Sequence, residues 1–382
     1  MPIGALPTPA KPENSWRLRP VVCGCLREAV SAMSQRIPGG KGTVPGMTGI
    51  NDVARHAGVS RTTVSHVFSG KRPVAQVTKL RVLEAAHALQ YNPDSVARGL
   101  ATGRSMTIGL ILPTSDDPAV LNPTWLMVLE GLSSAASSAG YGFLIASEDG
   151  ARPGKPKGEA RVRAAFDGII VLDPVGRIPL IPRLVREGTP VVTVGRYLGR
   201  VDVPWVDTDN VAGIHQLMAH LRTEGFERPA LLSVGVKISY IKDIESAFAD
   251  ALAAEGRDPV IIRAADLSEI EAYEKAIQLL SAWPNGPDVI VAASDRQATG
   301  VLRAARELGL RIPADVGIAG QGDTVISRNS RPPLTSIRIR PRDLGAAAVE
   351  MLLELVAGRT VSNVKLPVEL AVRDSTQGRH RT

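Results

Sequence analysis

Residues 50–69 read INDVARHAGVSRTTVSHVFS, two short amphipathic helices separated by one glycine. Ile50, Val53, Ala54 and Ala57 recur at the i, i+3, i+4, i+7 spacing of a single helical face. Gly58 ends that run, because glycine enters the left-handed turn without a Cβ penalty. Ser60 then offers its hydroxyl as an N-cap for a second helix, in which Val64, Val67 and Phe68 share a face. Two short helices around a glycine-containing turn make a helix-turn-helix. Downstream, the loop SGKRPV leads into a third helix over about Gln76 to Leu89, with Leu83, Ala86 and Leu89 predicted to point inward. Asn92-Pro93 breaks this helix, and Asp94 caps a further short segment, SVARGLA.

Upstream, residues 1–46 are rich in Pro and Gly (PIGALPTPAKP, IPGGKGTVPG) and lack sustained periodicity, so a disordered extension is expected there. The formal charge of the chain is +7, unevenly spread: residues 1–46 carry +4, residues 47–105 carry +5 and the remainder −2. A basic N-terminal part ahead of a slightly acidic body is the footprint of a chain that meets a polyanion at one end. Cys23 and Cys25, the two cysteines, stand too close for an ordinary disulfide loop and are too few for a metal cage, which suits a reducing compartment. No run approaches the roughly 18 apolar residues of a membrane helix, and the N-terminus lacks a secretory pattern. The expectation is a cytoplasmic protein without a membrane partner.

Beyond Ser105 the rhythm becomes strand, helix, strand, helix. Apolar strand candidates are TIGLIL from Thr107, GFLIA from Gly142, GIIVL from Gly168, PVVTV from Pro190, PALLSV from Pro229, DVIVAA from Asp288 and VGIAG from Val316. Amphipathic stretches separate most of them, among them Trp125 to Ala139, Asn210 to Thr223 and Arg296 to Leu308. Continuous apolar strands alternating with helices imply parallel sheets covered on both faces. About nine strands exceed one comfortable sheet, so two doubly wound lobes are expected, with a ligand crevice outside the strand C-termini.

The second helix carries the residues suited to reading a duplex. Arg61, Thr62 and His66 fall opposite its apolar face, where arginine can bond guanine bidentately and the smaller groups make polar or methyl contacts. Ser60, Thr63, Ser65 and the amides at the helix start suit phosphates. On this pattern alone a solvated helical face is the alternative account of the same residues.

The DVA...AGVS...TVS core of residues 52–65 and the Y-x-P-x-x-x-A-R-x-L segment beginning at Tyr91 resemble the N-terminus of the lac repressor (LacI/GalR) family of transcription regulators, and the similarity continues to the end of the chain. The resemblance implies an all-α helix-turn-helix head (47–92), a hinge helix and linker (93–105) and an α/β, two-lobed, periplasmic-binding-protein-like domain (106–382) for effector binding and dimerisation. Lobe 1 is expected over about 106–206 and 323–339, and lobe 2 over about 207–322 and 340–382. By residue-wise match Leu100 is the hinge leucine that wedges between base pairs from the minor groove, flanked by Ala97 and Arg98; the alternative for Leu100 is an ordinary contact to the body. The resemblance also implies an effector site containing Asn122, Trp125, Arg196, Asp295 and Gln321. Trp125 suits stacking on a ligand but equally a core position, and Asp295 stands where an acid can also cap a helix.

The sequence departs from the family pattern at three places. Ile244 stands where sugar- or purine-binding members carry arginine, Leu267 where a stacking aromatic is frequent, and Gly320-Gln321-Gly322-Asp323 replaces the usual G-F/Y-D-D turn. These departures argue against a phosphorylated or strongly anionic effector. A phosphate-cradling glycine loop, a G-x-S-x-G elbow and metal-spaced histidines are all missing, so no catalysis, cofactor or metal is expected. A secreted sugar-binding transport protein would share the two-lobed body but not the helix-turn-helix head. The expected protein is therefore a homodimeric repressor that binds a pseudo-palindromic double-stranded DNA operator and answers to a small-molecule effector.

Overall fold

The computed structural model describes residues 49–69, 72–89, 104–112, 123–147, 166–176 and 178–378. The expected extension over 1–46, the hinge residues Ala97, Arg98 and Leu100, and Asn122 lie outside the described residues. The described residues divide into two compact units, one of 49–67 with 72–89 and the other of 68–69 with those from 104 onward.

In the first unit, helix α1 (Ile50–Ala57) starts with the Asp52 carboxylate accepting the Gly49 amide at 2.9 Å and ends at Gly58, whose φ is +63°. Helix α2 (Arg61–Ser69) starts as expected: the Ser60 hydroxyl accepts the Thr63 amide at 3.1 Å. Val53, Ala54 and Ala57 of α1 and Val64 of α2 are buried. Helix α3 (Gln76–Ala88) packs against α1 in a phase that differs from the sequence reading. Val82, Ala85 and Ala86 face inward, whereas Leu83 is 41% exposed. The helix is apolar on more than one side, so packing against α1, not periodicity, chooses its buried face.

In the second unit the first lobe is built on strands β1 (Thr107–Leu112), β2 (Gly142–Ser147), β3 (Gly168–Leu172), β4 (Val191–Val194) and β5 (Trp205–Thr208), with helices α4 (Pro123–Ser138) and α5 (Leu180–Arg186). The second lobe continues through α6 (Asn210–Thr223), β6 (Pro229–Val234), α7 (Ser239–Ala253), β7 (Val260–Ala264), α8 (Glu269–Leu280), β8 (Val289–Ala292), α9 (Asp295–Glu307), β9 (Gly317–Gly322), α10 (Val325–Asn329) and β10 (Thr335–Arg338). Helix α11 (Pro341–Val356) and strands β11 (Val364–Leu366) and β12 (Glu369–Ala371) complete the described elements. The two sheets are ordered β11-β5-β4-β3-β1-β2 and β12-β10-β9-β8-β6-β7. Their pairings are parallel except that β12 runs antiparallel to β10. Both are doubly wound, with β1 and β6 marking the points where the strand order reverses.

Each sheet carries apolar clusters on both faces, which is why its strands read as unbroken hydrophobic runs. In the first lobe α4 and α11 cover one face together, and their approach depends on two glycines. A Cβ on Gly131 would stand 2.0 Å from the carbonyl oxygen of Arg342, and one on Gly345 would stand 2.3 Å from that of Val128.

The expected lobe boundaries need correction. Strand β10, expected in lobe 1, pairs with β9 in the second sheet, with Thr335 opposite Ala319 and Arg338 opposite Gly322. Asp323, also expected in lobe 1, has its buried carboxylate held by Arg338 at 2.7 Å and by Arg328 and Arg373. Conversely α11, expected in lobe 2, packs on α4, β3, β4 and β5, and β11 pairs with β5. The chain thus changes lobe after β5, again between β10 and α11, and a third time between β11 and β12. Strand pairing decides membership, and pairing is a long-range property that local periodicity does not carry.

Candidate functional site

On the head, Ser60, Arg61 and Thr62 are exposed at the start of α2, while Thr63, Ser65 and His66 are half-buried along its flank. Burial of Val64 sets this orientation, turning the N-terminal polar residues outward. An exposed arginine beside hydroxyl groups and free helix-start amides can present donors both to base edges and to phosphates.

In the body, a cleft is lined by residues from the C-terminal ends of strands in both sheets. The first lobe supplies Asp173 just past β3, Gly195 past β4 and Asp207 on β5, with Trp125 near the start of α4. The second lobe supplies Ser294 past β8, Gln321 on β9 and Tyr240 on α7. Trp125 Nε1 donates to Asp173 Oδ2 at 2.7 Å, and Gln321 Nε2 donates to Asn210 Oδ1 at 2.8 Å.

The cleft is acidic. Burial, and then the neighbouring Asp207, push the Asp173 carboxyl up to about 7 against the opposing hydrogen bond from Trp125. Burial also raises Asp207, opposed by the Thr208 amide, which donates at 2.8 Å, and by Arg196. The Tyr240 hydroxyl is driven above its ordinary range by burial and by Asp173. Asp173 itself has a φ of +34°, in the left-handed region where Asp is among the better tolerated residues.

The sequence-predicted residues are distributed unequally around this cavity. Trp125 and Gln321 line it. Arg196 stands beside it, its guanidinium 3.6 Å from Asp207, hydrogen-bonded to Asp243 of α7 and 5.7 Å from the Trp205 ring. Its amide donates to Ser239 Oγ at 3.0 Å, so Arg196 ties the first lobe to the second. Asp295 is 2% exposed and sits behind the wall of the cavity. Its carboxylate accepts from the Thr324 amide at 2.7 Å, from Thr324 Oγ1 at 2.9 Å and from Ser336 Oγ at 2.6 Å. Capping of α9 falls instead to Ser294, which accepts the Gln297 amide at 3.1 Å. Burial raises the Asp295 carboxyl above its ordinary range in spite of these bonds.

Sequence reasoning missed Asp173, Asp207 and Tyr240. The available signal for the two acids was an Asp at the end of an apolar strand, in GIIVLD and WVD, where doubly wound sheets gather ligands. Ile244 is fully buried in the core of the second lobe, and Leu267 packs against the same core. Neither lines the cavity, so the aromatic surface of the site comes from Trp125 and Tyr240. Among the described residues no group of His, Cys, Asp and Glu could hold a metal ion.

Two family models match the chain: "Bacterial regulatory proteins, lacI family" over residues 49–94 and "Periplasmic binding protein-like domain" over residues 218–376. The chain is 29% identical over 329 residues to the HTH-type transcriptional regulator CelR of Thermobifida fusca, covering 85% of this chain and 96% of CelR. It is 30% identical over 348 residues to the HTH-type transcriptional regulator MalR of Streptomyces coelicolor, covering 86% and 96%.

The chain belongs to the lacI family.

Solved structures agree. The lac repressor dimer bound to operator and the anti-inducer ONPF superposes with a TM-score of 0.72 at 25% identity, covering 87% of this chain and 100% of that one. The CelR–cellobiose complex superposes with a TM-score of 0.63 at 26% identity, covering 86% and 99%. These relatives are transcriptional regulators rather than enzymes. No helix among the described residues is long and apolar enough to cross a membrane.

Proposed function

We propose that this lacI-family protein is a cytoplasmic homodimeric repressor that binds a pseudo-palindromic operator through its two heads and releases or holds it according to a small, sugar-sized effector in the cleft. The observation that carries the reading is one chain joining a lacI-family head, with Arg61 and Thr62 exposed at the start of α2, to a two-lobed body whose cleft meets strand ends from both sheets. A dimer with two such heads reads two half-sites, so operator symmetry mirrors protein symmetry. In this reading Ser60, Thr63 and Ser65 contact phosphates, Arg61, Thr62 and His66 reach base edges, and Leu100, flanked by Ala97 and Arg98, enters the central step. The lac repressor dimer bound to its operator is the precedent for DNA, and CelR with cellobiose is the precedent for the effector.

Coupling between the two sites runs through lobe closure. Arg196, Ser239 and Asp243 join the lobes at the rim of the cleft, and an effector that binds the closed arrangement better shifts the body toward it. Operator affinity and effector affinity must then change each other by the same factor.

The experiment is selection from a pool of random duplexes by the purified full-length protein, with sequencing of the bound fraction. Enrichment of a palindrome with a central pyrimidine–purine step is the expected result. Binding that is only salt-sensitive and free of any enriched sequence would overturn the proposal.

A further inference from the structure

We propose that the cleft takes a ligand carrying one protonated amine on a sugar-sized polar body, its ammonium group received by the carboxylates of Asp173 and Asp207. The inference rests on the effector reading of the cleft and names the chemistry of the effector.

Charge is the first reason. The residues lining the cavity include two aspartates and no Lys, Arg or His. Asp207 has its counter-charge in Arg196, 3.6 Å away, together with donors from Thr208 and Ser239. Arg196 is shared between Asp207 and Asp243, so its charge is already committed. Asp173 has only the neutral indole of Trp125 on Oδ2, and Oδ1 has no donor among the described residues. A carboxylate in a low-dielectric site without a cation is unfavourable until a proton or a positive ligand group reaches it.

The hydrogen-bond inventory is the second reason, and it is independent of charge. Each side-chain nitrogen lining the cavity directs one bond into the protein: Trp125 Nε1 to Asp173, Asn210 Nδ2 to the Thr208 carbonyl and Gln321 Nε2 to Asn210. On the acceptor side, Asp173 Oδ1 is unused and Gln321 Oε1 is buried without a partner. These two open oxygens suit a ligand that brings donors. An ammonium group brings three donors together with the missing positive charge. The rings of Trp125 and Tyr240 in the same lining add faces that favour a cation. A phosphate or carboxylate would meet the charges of Asp173 and Asp207 with no cationic side chain in the lining to offset them. A hydroxyl could donate but would leave the Asp173 charge unmatched.

Proton and ammonium compete for the same carboxylate. The groups facing Asp173 are Trp125 from α4, Asp207 from β5 and Tyr240 from α7, with Arg196 and Asp243 in the layer behind. Because Asp173 in the unliganded cleft is raised to about 7, an amine that stays protonated across the range, such as 1-amino-1-deoxysorbitol, should bind more tightly as pH rises from 6 to 8.

The test uses the full-length protein and probes that differ only in the amine: glucosamine against glucose, galactosamine against galactose and 1-amino-1-deoxysorbitol against sorbitol. Binding is measured by calorimetry, and each probe is also tested for a change in affinity for the selected operator. The expected result is that at least one amine binds about tenfold or more tightly than its hydroxyl twin, the value of a charge-assisted hydrogen bond. Asp173→Asn should erase that preference, and Asp207→Asn should reduce it. A hydroxyl twin that binds as well as the amine overturns the inference while leaving the effector reading intact. A preference that survives both substitutions overturns the placement. If no member of any pair binds or changes operator affinity, the effector reading fails along with the inference.

Discussion

Replacing Asp173 by Asn should make the protein more stable at pH 8 than the parent, and the gain should shrink as the pH falls. The folded carboxyl is raised from 3.8 to about 7, whereas in the unfolded chain it returns to its ordinary value. A group whose folded pKa is raised favours folding most below its unfolded pKa, and that contribution is lost as pH rises through the folded value. The whole difference corresponds to at most about 4 kcal/mol, of which roughly 2.5 kcal/mol is lost between pH 5 and 8. Asn does not ionise, keeps an oxygen for Trp125 Nε1 and tolerates the φ of +34°. Thermal unfolding of parent and variant at pH 5 and 8 should therefore show the variant's advantage in melting temperature growing by about 5 °C across that range. A difference that is the same at both pH values, or a variant less stable at pH 8, would refute the account of Asp173 as a half-buried carboxylate without a counter-charge.

Gly131→Ala should destabilise the body by about 3 kcal/mol in urea unfolding, because the new Cβ meets backbone that cannot rotate away; an unchanged midpoint would show that α4 and α11 separate at little cost. Asp295→Ala should cost roughly 2–3 kcal/mol by stranding the Thr324 amide and Ser336 hydroxyl, with faster hydrogen exchange at Thr324 as the local signature. Arg61→Ala should weaken operator binding by about 1–3 kcal/mol and relax the preference at one base position. An unaltered base preference in the selected duplex pool would remove Arg61 from the reading face.

Much of this molecule was legible in its sequence. The turn at Gly58, the Ser60 cap and the outward placement of Arg61 and Thr62 follow from local rules that act within a few residues. The same holds for the apolar strands from Thr107, Gly168, Pro229 and Asp288, whose unbroken hydrophobicity reports cover on both faces of a sheet. Short polar-flanked strands carry weaker signals: β5, β10, β11 and β12 offer no long apolar run, and β7 interrupts its apolar residues with exposed Val260, 45% accessible, and exposed Arg263.

What local pattern could not supply was the set of contacts between residues far apart in the chain. Whether α11 and β11 return to the first lobe depends on pairing with β5 and packing on α4, and whether Leu83 or Val82 faces inward depends on α1. The cleft is the sharpest case. The sequence alone determined a doubly wound body with a crevice at its strand ends and a helix-turn-helix ahead of it. Only the tertiary structure placed Asp173 beside Asp207 and Trp125, committed Arg196 to Asp243 and sealed Asp295 behind Thr324 and Ser336. The physical reason is that burial and counter-charge are set by neighbours from other elements, so the same residue type becomes an open acceptor, a shared ion pair or a buried brace according to the fold around it.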